Sequence, residues 1–369
     1  MSKDKSFFNF IHSLRGVAVL LVVWSHLGGW WLSFNGYQSS WQSIWEAAFV
    51  GPFHLYQNGG HLGVLIFFLI SGFIITHVSL KESLYEFAVK RVFRIFPPLA
   101  ASLALTYLIV RICLHYEIPM PLGIGERTLN EYVQSLFLIN YITGTTAVNA
   151  VTWTLLIEMV FYIVTASLIS YTRKDNIKST FAFISIISII VCVSFTSPEL
   201  RSLANLSVYV LFLLIGRIYY FYSSGNMDGK RASGLAAICA FLYISFYNFL
   251  YPGLLFSAPS PAYPAIYSDI ISVLVFIIAA NYLKKIGAVS FFLAEVSYST
   301  YLLHLPVGGL AMVLLDKAGV SFELSFLLAL LSCFAVSYLM LLLVERPSQK
   351  IARALLIQTR KSDKKGLTL

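Results

Sequence analysis

Long apolar runs separated by short polar segments dominate this sequence. Windows of about nineteen residues identify ten runs that can cross a bilayer as helices, since a spanning helix needs roughly twenty apolar residues. The pattern therefore predicts an all-α polytopic membrane protein with one integral-membrane domain over residues 1–369, comprising a helical bundle at about 11–345 and a basic tail at 346–369. The predicted spans are 11–32, 61–79, 94–113, 153–171, 178–196, 204–222, 232–250, 266–283, 289–314 and 322–344.

One further apolar stretch, 129–142, is predicted not to span the membrane. It is short and contains the polar residues Asn130, Glu131, Gln134 and Asn140. Such a segment is typical of a re-entrant or interfacial piece.

The basic residues predict the orientation of the helices. With ten spans and both termini in the cytoplasm, the lysines and arginines concentrate on the cytoplasmic side, as the positive-inside rule requires. An eleventh span at 129–142 would move every later basic cluster outside. The cytoplasmic loops hold Lys81, Lys90, Arg91, Arg94, Arg173, Lys174, Lys178, Lys230, Arg231, Lys284 and Lys285, the tail holds seven basic residues between Arg346 and Lys365, and the outer loops and their flanks hold Arg111, Arg127, Arg201 and Lys317.

Composition excludes several other classes of protein. Hydrophobic residues make up 58% of the chain and charged residues only 12%, about half the charged fraction of a soluble domain. The net charge of +9 is divided among short loop clusters, so no nucleic-acid partner is expected. The four cysteines stand in separate apolar runs without metal-ligand spacing, and no metal site or disulfide framework is predicted.

The N-terminus is predicted to remain as the first membrane helix. Lys3, Asp4 and Lys5 precede the first apolar run, but Arg15 interrupts the start of that run and no small-residue cleavage site follows it.

Three outer loops are long, at about 33–60, 114–152 and 251–265. The first is rich in tryptophan, glutamine and serine, and the third reads YPGLLFSAPSPAYP. Two interpretations stay open for these aromatic residues. They anchor the protein at the membrane interface, or their ring faces bind sugar rings.

The first span carries two ionisable residues on one face. Arg15 and His26 are eleven residues apart, which leaves them about 20° apart around the helix and separates them by about 16 Å along it. Histidine suits proton transfer because its pKa lies near neutrality. An ionisable group deep in a membrane is by default a functional candidate, although a histidine that only bonds a neighbouring helix explains the position too.

Two further spans contain polar positions inside the membrane. Glu158 needs a partner or a proton there, so both a functional role and a structural pairing with arginine or tyrosine stay open. In the second span, Ser71 and Gly72 interrupt a bulky run just after Phe67 and Phe68. Small residues permit close approach of a ligand or, equally, of another helix.

Arg91 and Arg94 share a helix face at the predicted cytoplasmic surface, because they are three residues apart. Topology alone explains basic residues here, but guanidinium groups also clamp phosphates. Pro97 and Pro98 are expected to fix where the next helix begins.

A last candidate lies near the C-terminal end. Tyr298, Tyr301 and His304 form one helical stripe, and Pro306 follows directly. A kinked helix with a satisfied structural histidine is the interpretation that the sequence favours.

The order of these motifs resembles the membrane acyltransferase-3 family. The similarity runs from about residue 11 to residue 347, and its most specific part is the pair of motifs R-x10-H and RxxR. The matching motifs are R-x10-H at 15–26, FFxxSGF at 67–73, RxxR at 91–94, W-x4-E-x2-FY at 153–162, Tyr-x-x-His at 301–304 and ERP at 345–347.

The resemblance implies a bacterial inner-membrane enzyme that moves an acyl group, usually acetyl, from cytoplasmic acyl-CoA to a hydroxyl of a glycan at the outer face. It implies that His26 is the catalytic histidine, that Arg15 is its partner in the motif, and that Glu158 is the acidic residue of the later helix, which either orients His26 or accepts a hydrogen bond from the acceptor hydroxyl. The CoA side corresponds to Arg91 and Arg94, the acyl path to Phe68, Ser71 and Gly72, and the candidates for acceptor contact are Trp153, Tyr301 and His304.

The resemblance also sets a limit. Some relatives continue into an SGNH-type domain, whereas this chain ends about twenty residues after Glu345, so we expect it to act alone or with a separate partner. O-antigen, another exopolysaccharide, peptidoglycan and a smaller glycoside all stay open as acceptors. The alternative function is a proton-coupled transporter or flippase of a lipid-linked sugar, because intramembrane His, Glu and Arg serve transport too.

Overall fold

The computed structural model of the chain describes residues 8–194, 196, 200–250 and 263–366. These ranges form helices and loops and contain no strand, so the predicted all-α class is confirmed. In chain order the long helices are α1 (Asn9–Asn35), α2 (Tyr56–Ser79), α3 (Leu84–His115), α4 (Ala150–Lys174), α5 (Asn176–Ser194), α6 (Arg201–Ser223), α7 (Gly229–Leu250), α8 (Tyr263–Tyr282), α9 (Ala288–Lys317), α10 (Phe322–Met340) and α11 (Arg346–Gly366).

Nine stretches of the described chain are long and apolar enough to cross a membrane, and α7, with 22 residues, covers the predicted span 232–250. Contacts between distant loops identify the two ends of the bundle. Nδ2 of Asn9, at the start of α1, donates to the carbonyl of Lys284 before α9 at 2.8 Å. At the opposite end, Oγ of Ser39 donates to the Glu323 carboxylate at 2.7 Å. We call the first end, which carries the basic loops, the inner end and the second the outer end.

The loops contain only short helices. The stretch 129–142 forms Leu129–Leu136 and Asn140–Thr143, neither of which is long enough to cross a bilayer. The outer loop after α1 contains Ser40–Trp45, Glu46–Val50 and Gly51–Phe53. Most of the predicted outer loop 251–265 lies outside the described residues, as do Lys3, Asp4 and Lys5.

The helix α3 begins well before the two prolines, so the prediction that they fix its start is wrong. Ser83 caps the helix by accepting a hydrogen bond from the backbone N–H of Glu86, and α3 continues through both prolines. A proline inside a helix leaves the carbonyl four residues earlier without its donor. For Pro97 that carbonyl belongs to Phe93, and the hydroxyl of Ser348 on α11 donates to it at 3.0 Å.

The wide π-helical turns of the bundle occur beside polar side chains. They are Trp24–Trp30 in α1, His304–Gly308 in α9 and Leu341–Glu345 between α10 and α11. Such turns are frequent at functional sites. The turn in α9 includes Pro306, and the Leu302 carbonyl that this proline frees accepts from Nδ2 of Asn149 at 2.7 Å and from Oγ of Ser102 at 3.2 Å.

The helix α2 lies against α1, α6 and α8. Its contact with α6 is made backbone to backbone, because a Cβ on Gly72 would lie only 1.8 Å from the Leu213 carbonyl oxygen. A Cβ on Gly216 would lie 2.1 Å from the Leu69 carbonyl oxygen. This close packing fixes α2 and directs Ser71 into the space between α2 and α4.

Candidate active site

A cavity of about 430 Å³ lies between α1, α2, α3, α4 and α9. Phe8, His12 and His77 line it near the inner end, and Thr154 and Tyr301 line it deeper in the bundle. On α2 its lining extends from Val64 to His77, which corresponds to about 20 Å at the rise of a helix. The cavity is therefore long and enters the membrane from the inner end.

Two arginines, Arg15 of α1 and Arg94 of α3, line this cavity. Neither forms a hydrogen bond or an ion pair within 4 Å with any residue that the structure describes. Guanidinium groups are costly inside a membrane unless they are paired or contact water. The cavity therefore presents two guanidinium groups to an anionic ligand.

The carboxylate of Glu158 lies in the wall of the same cavity. It accepts hydrogen bonds from Oγ of Ser71 at 2.8 Å and from the hydroxyl of Tyr162, one turn along α4, at 2.9 Å. Both carboxylate oxygens therefore have a hydrogen-bond donor. The partners of Glu158 are thus a serine and a tyrosine, whereas the sequence left arginine or tyrosine as its structural partner.

Aromatic rings close the deep end of the cavity. The rings of Phe67 and Tyr301 are in edge contact, with centroids 6.0 Å apart, and both residues line the cavity, as does Phe68. The hydroxyl of Tyr301 donates to the Val151 carbonyl and accepts from Oγ1 of Thr154, each at 2.9 Å. The Tyr301 ring is therefore held against the outer start of α4.

The two intramembrane histidines meet behind Tyr301. The ring of His304 lies 6.0 Å from that of Tyr301 and 5.0 Å from that of His26. Nε2 of His304 is 3.2 Å from Nδ1 of His26. His26 does not line the cavity itself, and it is connected to the lining residue Tyr301 through the ring of His304.

Besides the two histidines, three of the sequence candidates lie outside the cavity. Arg91 pairs with the carboxylate of Glu82 at 3.2 Å and stacks over Phe87. Gly72 faces the backbone of α6. Trp153 packs on Tyr209, with ring centroids 5.4 Å apart.

Several lining residues were not singled out from the sequence. Tyr162 follows Glu158 by four residues, a spacing that puts both side chains on one helix face, so its pairing with Glu158 had a sequence signal. Thr154 and His12 had none that separates them from ordinary helix positions. Among the described residues, no group of three or more His, Cys, Asp or Glu side chains is arranged to hold a metal ion.

Comparison with known proteins connects this arrangement to an enzyme family. A family model described as an acyltransferase domain, that of the acyltransferase-3 family, matches residues 8–344. The chain is similar to Nodulation protein 10 of Rhizobium leguminosarum bv. viciae, with 27% identity over 173 residues. That match covers 44% of this chain and 44% of the relative, so the chain spans less than half the length of the curated protein it matches. No solved structure matches the chain significantly.

Proposed function

Because the chain belongs to the acyltransferase-3 family, we propose that it transfers an acetyl group from cytoplasmic acetyl-CoA across a bacterial inner membrane to a hydroxyl of a glycan. We propose O-antigen or another exopolysaccharide as the acceptor. The outer loop after α1 supports a sugar acceptor, because Trp41 and Tyr37 are exposed there beside the amide of Gln38. Exposed aromatic faces with a polar group nearby suit sugar rings.

The observation that carries the proposal is the pair of arginines, Arg15 and Arg94, which line a cavity near the inner end and form no hydrogen bond or close ion pair with the described residues. A coenzyme A thioester combines a cluster of phosphates with a long, largely uncharged arm. Guanidinium groups bind phosphate oxygens bidentately, so Arg15 and Arg94 are suited to hold the phosphate end. The cavity length of about 20 Å, from the helix rise, is suited to the arm.

Glu158 and Ser71 belong to the donor path in this proposal. The carboxylate offsets the charge of the two arginines before the donor binds, and it offers acceptor oxygens to the amide N–H groups of the pantetheine arm. Phe67 and Phe68 give the path an apolar wall. Arg91, which is paired with Glu82, acts by holding the inner start of α3 rather than by binding phosphate.

The chemical step is assigned to His26 as general base. Its Nε2 takes the proton of the acceptor hydroxyl while the hydroxyl oxygen attacks the thioester carbonyl. The new C–O bond forms, the C–S bond breaks, and the coenzyme A thiolate leaves and takes up the proton from His26. A second mechanism, in which His26 itself attacks the thioester and carries the acetyl group, requires a covalent intermediate.

For the thioester to meet His26, the ring of Tyr301 has to move. Tyr301 lines the cavity and contacts His304, so rotation of this one side chain connects the donor path with the histidines. Such movement on ligand binding is common in enzymes that exclude water from a reactive intermediate.

The test uses membrane vesicles that contain the full chain, acetyl-CoA labelled in the acetyl group, and glycan from the same cells. Label should enter the glycan with the natural chain and not with His26→Ala at equal protein level. His115→Ala, an exposed histidine at the outer end of α3, is the matched control and should retain transfer. Transfer that persists in His26→Ala contradicts the assigned role, and a protein that only transports a glycan would leave the acetyl group unattached.

A further inference from the structure

The histidine pair has a feature that the sequence did not predict. His26 and His304 both stand in π-helical turns, of α1 and α9 respectively, and their nearest ring nitrogens are 3.2 Å apart. His304 is completely buried. A hydrogen bond between two neutral imidazoles requires that one nitrogen carries the proton and the other carries the lone pair.

The surroundings of His304 decide its tautomer. Its Nδ1 lies 2.8 Å from the Tyr301 carbonyl oxygen and 3.2 Å from that of Thr300. Carbonyl oxygens only accept hydrogen bonds, so Nδ1 carries the proton. Neutral His304 therefore presents a lone pair on Nε2, and this lone pair faces His26.

The same reasoning fixes the proton of His26. Its Nδ1 faces the Val22 carbonyl oxygen at 2.9 Å and Nε2 of His304 at 3.2 Å. Both of these groups are acceptors, so Nδ1 of His26 carries the proton and shares it between them. Nε2 of His26 is then the lone-pair nitrogen, and it has no hydrogen-bond partner among the residues that the structure describes.

We propose that His304 is a positioning residue that holds His26 in the tautomer with a basic Nε2 and accepts a hydrogen bond from Nδ1 when His26 becomes an imidazolium. This inference rests on the proposed role of His26 as general base. In serine hydrolases a carboxylate performs the corresponding task, but a buried carboxylate carries a large desolvation cost. A neutral imidazole supplies the acceptor without adding a charge to the membrane interior.

Neighbouring residues hold His304 in place. Asn149 and Ser102 donate to the Leu302 carbonyl, which Pro306 leaves without its helical donor. The kink at Pro306 thus has a structural function. It lies in the widened turn from which the His304 side chain reaches the carbonyls of Thr300 and Tyr301 with one nitrogen and His26 with the other.

Two substitutions separate an acceptor role from a packing role. His304→Gln keeps an acceptor oxygen near the position of Nε2, whereas His304→Leu keeps bulk and removes the acceptor. We expect His304→Leu to lower kcat by about 10- to 100-fold, the effect of losing a hydrogen bond to a charged group, with the KM for acetyl-CoA unchanged. His304→Gln should recover most of kcat, and His115→Leu, at an exposed position, should leave both constants unchanged.

A second readout is independent of turnover. In nanodiscs with ring-¹⁵N-labelled histidine, His26 should show a protonated Nδ1 and an unprotonated Nε2, with its signals identified from their loss in His26→Gln. His304→Leu should weaken that preference and His304→Gln should restore it. An Nε2–H tautomer of His26 in the natural chain, or equal loss of kcat in folded His304→Leu and His304→Gln, overturns the proposal. Absence of acetyl transfer by the natural chain refutes the proposed function alone, since the tautomer is measured without substrate.

Discussion

The hydroxyl of Ser71 donates a hydrogen bond of 2.8 Å to the carboxylate of Glu158 and so joins α2 to α4 across the wall of the cavity. This contact explains why a break in a bulky apolar run coincides with a carboxylate in a helix far along the chain. Gly72 next to Ser71 brings α2 against the α6 backbone, and the serine then reaches the opposite neighbour. In this part of the cavity wall, close packing of α2 on α6 thus occurs beside a Glu158 carboxylate that is hydrogen-bonded by Ser71 and Tyr162.

Glu158→Gln should destabilise the protein when no donor is bound. An amide accepts through only one oxygen, so either Ser71 or Tyr162 loses its acceptor. Part of the negative charge near Arg15 is also lost, and the Glu345 carboxylate is what remains. We expect the free energy of unfolding to fall by about 1–3 kcal/mol, measured as a lower Tm in detergent. Coenzyme A should raise the Tm of this variant more than that of the natural chain, because its phosphates replace the missing negative charge.

The control for this comparison is Glu126→Gln, a carboxylate that is mostly exposed and 3.9 Å from Arg111. Exposed pairs contribute little to stability, so its Tm should stay near that of the natural chain. An unchanged Tm in Glu158→Gln would show that the carboxylate is not needed against the arginines.

Arg94→Gln should weaken donor binding specifically. The guanidinium of Arg94 lines the cavity without a protein partner, so its removal costs the ligand contact rather than an internal ion pair. We expect the KM for acetyl-CoA to rise about 10- to 100-fold, as for the loss of a charge-assisted hydrogen bond. Arg111→Gln, at an exposed position on the same helix, should leave KM unchanged. Equal KM values in the two variants would exclude Arg94 from the phosphate site.

Hydropathy and loop charge were sufficient to predict the membrane-spanning helices, but not the helix α11 in the segment predicted as a basic tail. The span predicted at 61–79 is the apolar part of α2 (Tyr56–Ser79). About twenty consecutive apolar residues are the length that a helix needs to cross a bilayer, so the hydropathy pattern alone identifies this helix. The start of α3 was misplaced because its first turns are amphipathic and polar, and because a hydroxyl on α11 compensates Pro97. That compensation depends on a contact 255 residues away in sequence, which no local pattern contains.

The sequence predicted which residues belong to the candidate site better than it predicted which residues they contact. Motif spacing singled out Arg15, His26, Arg94 and Glu158, and all except His26 line one cavity. The pairing of His26 with His304, 278 residues apart, depends on how α1 packs on α9 and on two widened turns. Neither feature follows from helical periodicity, since a π turn shifts the face of every later residue.

Arg91→Gln should differ from Arg94→Gln even though the two arginines share a motif. Arg91 is buried, paired with Glu82 and stacked on Phe87, so its loss removes an internal contact. We expect a loss of about 1–3 kcal/mol in stability with the KM for acetyl-CoA unchanged in the folded fraction. Glu82 keeps its ion pair with Lys90 at 2.8 Å in this variant, so the loss should come from the contacts of Arg91 alone. A raised KM with normal Tm would instead assign Arg91 to the donor.

Asn149→Leu should affect catalysis through α9. Its Nδ2 donates at 2.7 Å to the Leu302 carbonyl that Pro306 leaves unpaired, and Ser102 alone would then satisfy that carbonyl at 3.2 Å. We expect a loss of about 1–3 kcal/mol in stability, the cost of a poorly satisfied buried group, and a lower kcat because His304 is less firmly held. Both quantities can be measured on one purified preparation as Tm and initial rate. Unchanged values would show that the kink in α9 is stable without Asn149.

Tyr301 should separate the donor path from water and from the histidines until the acceptor is present. Its ring contacts Phe67 on the cavity side and His304 on the other side, and closed sites prevent hydrolysis of reactive groups. Tyr301→Ala should therefore increase the release of coenzyme A thiol from acetyl-CoA when no glycan is added, measured with a thiol reagent. Tyr301→Phe keeps the ring and loses only the bonds to Val151 and Thr154, so it should lower Tm and leave acceptor-independent hydrolysis low. If Tyr301→Ala transfers acetyl groups to glycan without added hydrolysis, the ring is not the barrier between the cavity and His26.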